Sequence, residues 1–167
     1  MCMAQHFKIK SMTNNEQLIR NFYQSFQNKD YKAMQNCYAD DAIFNDAIFK
    51  NLNSKQVKAL WEMLITRGKN FSLTFDNIKA DKNAGSADWT ATYTFSGTNR
   101  KVINHVKADF IFENNKIIKH TDDFDFYKWS RQALGLQGLL LGWTSFLKSK
   151  VQRSAMRGLD DFMKREK

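Results

Sequence analysis

Proline is missing altogether from these 167 residues, where ordinary usage of about 5% would supply about eight. Collagen-like and proline-rich disordered classes are thereby excluded, and no X-Pro isomerisation step can delay folding. Cysteine is nearly absent. Cys2 sits at the terminus and Cys37 falls on the apolar stripe of a predicted helix, so no bridge is expected and a reducing compartment fits. The opening MCMAQHFKIK has neither an apolar core region nor a small-residue cleavage site, which argues against a signal peptide. Long apolar runs are missing too: Leu134–Trp143 is about half of a membrane span. A soluble cytoplasmic protein is the expectation. The seven glycines form no phosphate-cradling loop, nucleophile elbow or dinucleotide fingerprint. No HxxxH spacing or cysteine cluster occurs, so neither a metal nor a cofactor is expected.

What is abundant is aromatic and basic. Fourteen Phe, four Trp and five Tyr carry far more apolar area than a disordered chain does. Lys and Arg number 26 against 17 Asp and Glu, which leaves +9. The charge is unevenly placed. Residues 128–167 hold nine basic and three acidic side chains, so +6 lies in the tail and only +3 in the rest.

Helical patterning dominates residues 13 to 67. Thr13 and Glu16 have the spacing of a capping box, after which Leu18, Ile19, Phe22, Tyr23 and Phe26 share a face. Asp30 can cap a short second helix that turns Met34, Cys37 and Tyr38 inward. Ser54 opens a third helix with Val57, Leu60, Trp61, Leu64 and Ile65 on one stripe, and Gly68 is expected to end it at positive φ. The period then drops to two. Trp89, Ala91, Tyr93 and Phe95 alternate with threonines, and residues 101–113 and 116–126 read as strands joined by an Asn114-Asn115 hairpin turn. Helices followed by hairpin-linked strands predict an α+β fold with an antiparallel sheet. From Gly138 to Glu166 helical period returns, with Leu147, Val151, Ala155, Leu159 and Phe162 opposite Lys150, Arg153, Arg157 and Lys164.

Several local words carry a likeness: Asp30-Tyr31 after the first helix, Tyr38-Ala39-Asp40-Asp41-Ala42 after the second, and Phe44-Asn45-Asp46-Ala47 before the third. Lys116-Ile117-Ile118-Lys119-His120 and Asp122-Asp123-Phe124-Asp125 follow on the final strand. Together they resemble the nuclear transport factor 2-like superfamily, most nearly its ketosteroid-isomerase-related and SnoaL-like polyketide cyclase members. The likeness covers about residues 13–129, leaving 1–12 as an N-terminal extension and 130–167 as a basic amphipathic one. It implies a cone-shaped (cystatin-like) domain whose curved sheet wraps the first helix and leaves a pocket open at one end. It also implies dimers in many relatives. Isomerases, cyclases, hydratases, epoxide hydrolases and non-catalytic binders all share this fold, so fold and function are separate questions.

The resemblance places Asp46 where isomerase relatives keep a general base, and an apolar cone would raise its pKa. The oxyanion-hole positions fall on Phe22 and near Lys107, which argues against steroid isomerase activity. Ile118, His120, Asp122 and Phe124 are placed on the pocket side of the last strand. His120 and Asp122, two apart, share a strand face, so the carboxylate can orient the imidazole. The catalytic candidates are therefore Asp46, His120 and Asp122. Phe22, Tyr38, Trp61, His105 and Phe124 would line the cavity for a small, largely apolar ligand. For residues 101–113 two arguments conflict. The resemblance turns His105, Lys107 and Asp109 inward, whereas binary patterning buries Val106, Ala108, Phe110 and Phe112; the latter set would then pack a homodimer through the sheet.

Two function classes remain: an isomerase, cyclase or hydratase working by proton transfer, and a non-catalytic binder or dimerisation module with the same fold. For the basic tail, packing of its apolar side on the domain or on a second subunit is the first reading and a weak contact with an anionic membrane the second. Nucleic acid is disfavoured, because no aromatics are interleaved with the basic stripe.

Overall fold

A computed structural model describes residues 13–165 of the chain. Cys2, His6 and the N-terminal extension lie outside the described residues. Three helices come early: α1 (Asn14–Gln27), α2 (Tyr31–Asn36) and α3 (Ser54–Arg67). The capping box at Thr13 forms as its spacing requires, and the Asp30 carboxylate accepts from the Ala33 N–H. Asn53 rather than Ser54 caps α3, in a second capping box with Gln56. Gly68 does follow α3, but at φ −64°. Its lack of a side chain matters for a different reason: a Cβ there would lie 2.5 Å from the Leu64 carbonyl oxygen.

The sheet has six strands: β1 (Tyr38–Asn45), β2 (Leu52–Asn53), β3 (Lys69–Ala80), β4 (Ala84–Phe95), β5 (Arg100–Glu113) and β6 (Lys116–Asp123). Their order is β2-β1-β6-β5-β4-β3. Neighbours are antiparallel except β1 and β6, which run parallel. The sheet is therefore mixed rather than purely antiparallel, and β1 lies within a stretch whose pattern reads as helical. Asn114 and Asn115 both take positive φ, the geometry that a two-residue hairpin turn between twisted strands demands.

Helix α1 contacts the inner face of β3 and β4. Ile19, Phe22, Tyr23 and Phe26 are buried there with Phe44, Trp61, Phe110 and Ile117 in one apolar core. Each such side chain contributes roughly 2–3 kcal/mol of burial free energy.

On β5 the binary pattern prevails over the resemblance. Val106, Ala108, Phe110 and Phe112 are buried in the domain, and His105, Lys107 and Asp109 are exposed on the outer face. The buried set cannot form a subunit interface, because α1 and the other strands already cover it. On β6 a register shift opposite Ile111 and Phe112 changes the parity, so that Ile117, rather than Ile118, is fully buried with His120 and Asp122.

Beyond β6 the chain does not run as one long helix. It breaks into α4 (Phe126–Leu134), α5 (Leu136–Leu141) and α6 (Ser145–Arg165). A second apolar cluster forms where Phe126, Trp129 and Ala133 of α4 meet Tyr93, Phe95, Val102, Phe124, Ala47, Ile48 and Val151. Helix α6 packs along α3, burying Leu159 and Phe162, with the Arg67 guanidinium 4.8 Å over the Phe162 ring. No described helix is long and apolar enough to cross a membrane.

Candidate functional site

The polar centre of the cone is a hydrogen-bonded chain contributed by four elements. Residue His120 of β6 has no exposed surface, and its Nδ1 lies 2.6 Å from the Tyr38 hydroxyl at the start of β1. Its Nε2 lies 3.0 Å from Asp122 Oδ1. Trp61 of α3 donates its indole N–H to the Tyr38 oxygen at 3.0 Å, and Trp89 of β4 donates to Asp122 Oδ1 at 3.2 Å.

The bonding pattern assigns the protons. An indole N–H can only donate, so Tyr38 accepts from Trp61 and has its own proton free for His120 Nδ1. Burial, then the charge of Asp122, pushes the Tyr38 phenol well above its usual range, which keeps that proton in place. Nε2 must then carry the hydrogen given to Asp122. Two indoles, a phenol and an imidazole thus all direct donors along one path that ends on a single carboxylate oxygen.

Phe22, Phe44, Phe110 and Trp61 pack around the imidazole, with ring centroids 4.3 to 6.0 Å away. Phe22, Tyr38 and Trp61, expected to line an open cavity, instead fill the cone around His120. Phe124 lies in the second cluster, beneath α4. His105 is not in the cone. It is exposed on the outer sheet face, bonded to Thr90 Oγ1 at 2.9 Å, beside a shallow hollow of about 360 Å³.

Asp46 is half-buried in the turn after β1, and its Oδ1 accepts the backbone N–H groups of Ile48 at 2.6 Å and Phe49 at 2.5 Å. Burial, helped by the negative charge of Asp122, raises its carboxyl to about 6 against the opposing pull of the two backbone donors and of Lys50. Asp46 in turn adds to the upward shift of the Tyr93 phenol, whose main cause is burial. Asp46 therefore feels the charge of Asp122, and Tyr93 that of Asp46, at the end of the cone that α4 and α6 roof over. Gln152 of α6 fixes that roof by donating to the Ala47 carbonyl at 3.1 Å.

One residue of this neighbourhood escaped the sequence reading. Tyr23 is fully buried, its hydroxyl has no hydrogen-bond partner among the described residues, and burial followed by Asp122 raises its phenol. Its i+4 spacing from Ile19 marks it as core, and nothing in the sequence distinguishes an orphan hydroxyl from a paired one. Among the described residues no group of His, Cys, Asp and Glu has the geometry to hold a metal ion.

A family model described as SnoaL-like domain matches residues 19–120, from the first turns of α1 to His120 itself. The chain belongs to the SnoaL-like family. Solved structures agree on the fold. An NTF2-like protein of unknown function from Burkholderia pseudomallei superposes with TM-score 0.64 at 19% identity, covering 73% of this chain and 98% of that one. An LEH-like epoxide hydrolase from M. tuberculosis gives 0.60 at 20%, covering 76% and 92%. A protein with a ketosteroid isomerase-like fold from Catenulispora acidiphila, in complex with trimethylamine, gives 0.62 at 12%, covering 76% and 96%. No curated protein matches the sequence. The SnoaL-like match stops before α4, so the three C-terminal helices lie outside the region the family model covers.

Proposed function

We propose that this SnoaL-like domain transfers a proton on a small, largely apolar molecule held at the roofed end of the cone, with Asp46 as the base. The observation that carries the reading is the state of Asp46, a half-buried carboxyl in an apolar turn, raised to about 6 by burial and by the charge of Asp122. A base with a pKa near the working pH is the most effective proton acceptor. The Tyr23 hydroxyl, buried without a partner near Asp122, supplies a donor for an oxygen that gains charge when the proton leaves. The Trp61–Tyr38–His120–Asp122 path holds Asp122 in position. His120 would act through that carboxylate and not on the ligand, since both of its nitrogens are engaged. Metal and cofactor play no part in this scheme.

A second reading is favoured by the aromatic fill around His120: a non-catalytic module that has closed its cone. A homodimer through the sheet would then use the outer face, where Ile103 and Ile111 are exposed. One experiment separates the two. Proton–deuterium exchange of a panel of enolisable ketones, followed by NMR, is expected to be accelerated by the protein and abolished in Asp46→Asn. No acceleration with any ketone, together with no ligand-induced rise in Tm, sinks the catalytic reading and leaves the closed module.

A further inference from the structure

The C-terminal extension carries an apolar projection that the domain does not cover. Leu136, Leu140, Trp143 and Phe146 are 74, 65, 75 and 65% exposed, and Leu139 and Leu141 are exposed beside them. A monomer of this size rarely leaves such a contiguous set in water without a use for it.

The projection is rigidly built. Gly138 is buried against α4, where a Cβ would fall 1.9 Å from the Ser130 carbonyl oxygen; at Gly142 it would fall 2.1 Å from Ser130 Oγ. Glycine at both places lets α5 lie flat on α4, with its leucines facing away from the domain.

Its backbone is also prepared for an apolar medium. The last carbonyls of α5 would ordinarily be left to water, but here each has a partner. Gly142 N–H and Ser130 Oγ donate to Gly138 O, the Tyr127 hydroxyl to Leu139 O, the Trp143 indole to Leu140 O, and the Thr144 N–H and hydroxyl to Leu141 O. A turn satisfied in this way can leave water without stranding an acceptor.

The surroundings of the projection carry one sign of charge. Between Asp125 and Asp160 the sequence has six Lys and Arg and no Asp or Glu. Arg100, Lys128 and Arg131 line a hollow of about 570 Å³ whose other wall is Leu136 and Leu139. Arg100 is anchored there by donating to the Gln132 carbonyl at 2.8 Å, and the Arg131 guanidinium rests over the Tyr127 ring. Cations set around exposed Trp, Phe and Leu match the two layers of an anionic bilayer surface, phosphate above and acyl chain below.

We propose that the chain docks on an anionic membrane, with the residues from Leu136 to Phe146 entering below the headgroups and Arg100, Lys128 and Arg131 taking lipid phosphates. The inference is independent of the reaction in the cone. It assigns the contact to α5 and its flanks, in place of the basic face of α6.

The test is sedimentation of the full chain with phosphatidylglycerol–phosphatidylcholine vesicles and with phosphatidylcholine alone, read with tryptophan emission. Trp61 and Trp129 are buried, whereas Trp143 is the most exposed of the large apolar residues, so insertion is expected to shift the emission to the blue. Binding is expected on the anionic vesicles only. It should weaken about tenfold or more in Leu140→Glu/Trp143→Glu, and its fall with added salt should be shallower in Lys128→Gln/Arg131→Gln than in the wild type. No sedimentation at low salt overturns the proposal. So does equal binding to neutral vesicles, or binding of free glycerol phosphate without binding of vesicles. A dimer in solution that Leu140→Glu/Trp143→Glu makes monomeric also overturns it, because a second copy would then be the occupant. Unchanged circular dichroism of the variants keeps each outcome interpretable.

Discussion

The inside of the cone and the C-terminal extension spend their aromatic residues in opposite ways. Around His120 the rings of Phe22, Phe44, Trp61 and Phe110 are buried to the last few per cent and enclose a polar chain with every nitrogen engaged. Past Asp125 the chain again has Trp, Phe and Leu in quantity, yet it leaves Trp143, Phe146 and the α5 leucines in water. The difference shows that apolar content alone does not say what a segment is for. In the cone it shields charge; in the extension it is held outward on a paired backbone.

The sharpest way to break the comparison is to attack the buried side. Asp122→Ala leaves His120 Nε2–H and the Trp89 indole without their acceptor. It is expected to cost about 3–5 kcal/mol in urea denaturation, against nearly nothing for changes on the exposed leucines. Gly138→Ala comes next. Its methyl group must displace the Ser130 carbonyl, an overpacking cost of about 2 kcal/mol. Hydrogen exchange should rise in α5 while β5 and β6 stay protected.

Asp46→Asn is expected to act with opposite sign. The carboxyl is shifted from 3.8 in the unfolded reference to about 6 in the fold. Stability from the neutral form is therefore full below about pH 4 and lost as the pH rises through about 6. The wild type should be less stable at pH 8 than at pH 5, and Asp46→Asn should remove that slope, gaining roughly 1–2 kcal/mol at pH 8 after allowance for partial exposure. A variant that is more stable and inactive would mark Asp46 as a functional compromise. Leu140→Glu/Trp143→Glu should change global stability by less than about 0.5 kcal/mol in the same denaturation assay. A larger loss would mean that α5 supports the domain, and the contrast would fail.

Much of the cone is legible in the sequence. The capping box, the Asn-Asn turn and the facing of Trp89, Ala91, Tyr93 and Phe95 follow from spacing alone, because local geometry dictates them. Strand β5 is a sterner case. Its period-two pattern alone gives the right facing for His105, Lys107 and Asp109, whereas word matching to relatives has no parity and reverses it. The parallel pairing of β1 with β6 is not legible, since nothing in an eight-residue word identifies a partner more than seventy residues away. For the site, His120 and Asp122 are rightly expected to share a face with His120 beside a carboxylate. That the ring would be sealed by Tyr38 and Trp61 is a matter of tertiary packing. The first break in the tail, between α4 and α5, is marked by Gly135, which takes φ +61° against the Arg100 guanidinium. It is missed because the apolar run hides the break.

The parallel β1–β6 ladder has a consequence for how the chain comes off the ribosome. Tyr38 and His120 are 82 residues apart, so at ordinary synthesis rates β1 waits roughly 4–16 s for the strand that completes it. Throughout that interval the central position of the sheet is empty and β1 has an open edge. When β6 arrives, a slip of one residue would turn His120 outward and bring Lys119 and Thr121 to face Phe44 and Phe110. The tyrosine–histidine bond rejects that arrangement, because Tyr38 would have no acceptor for its proton. The buried polar path thus ties the native register of β6 to a bond that a slipped strand could not make.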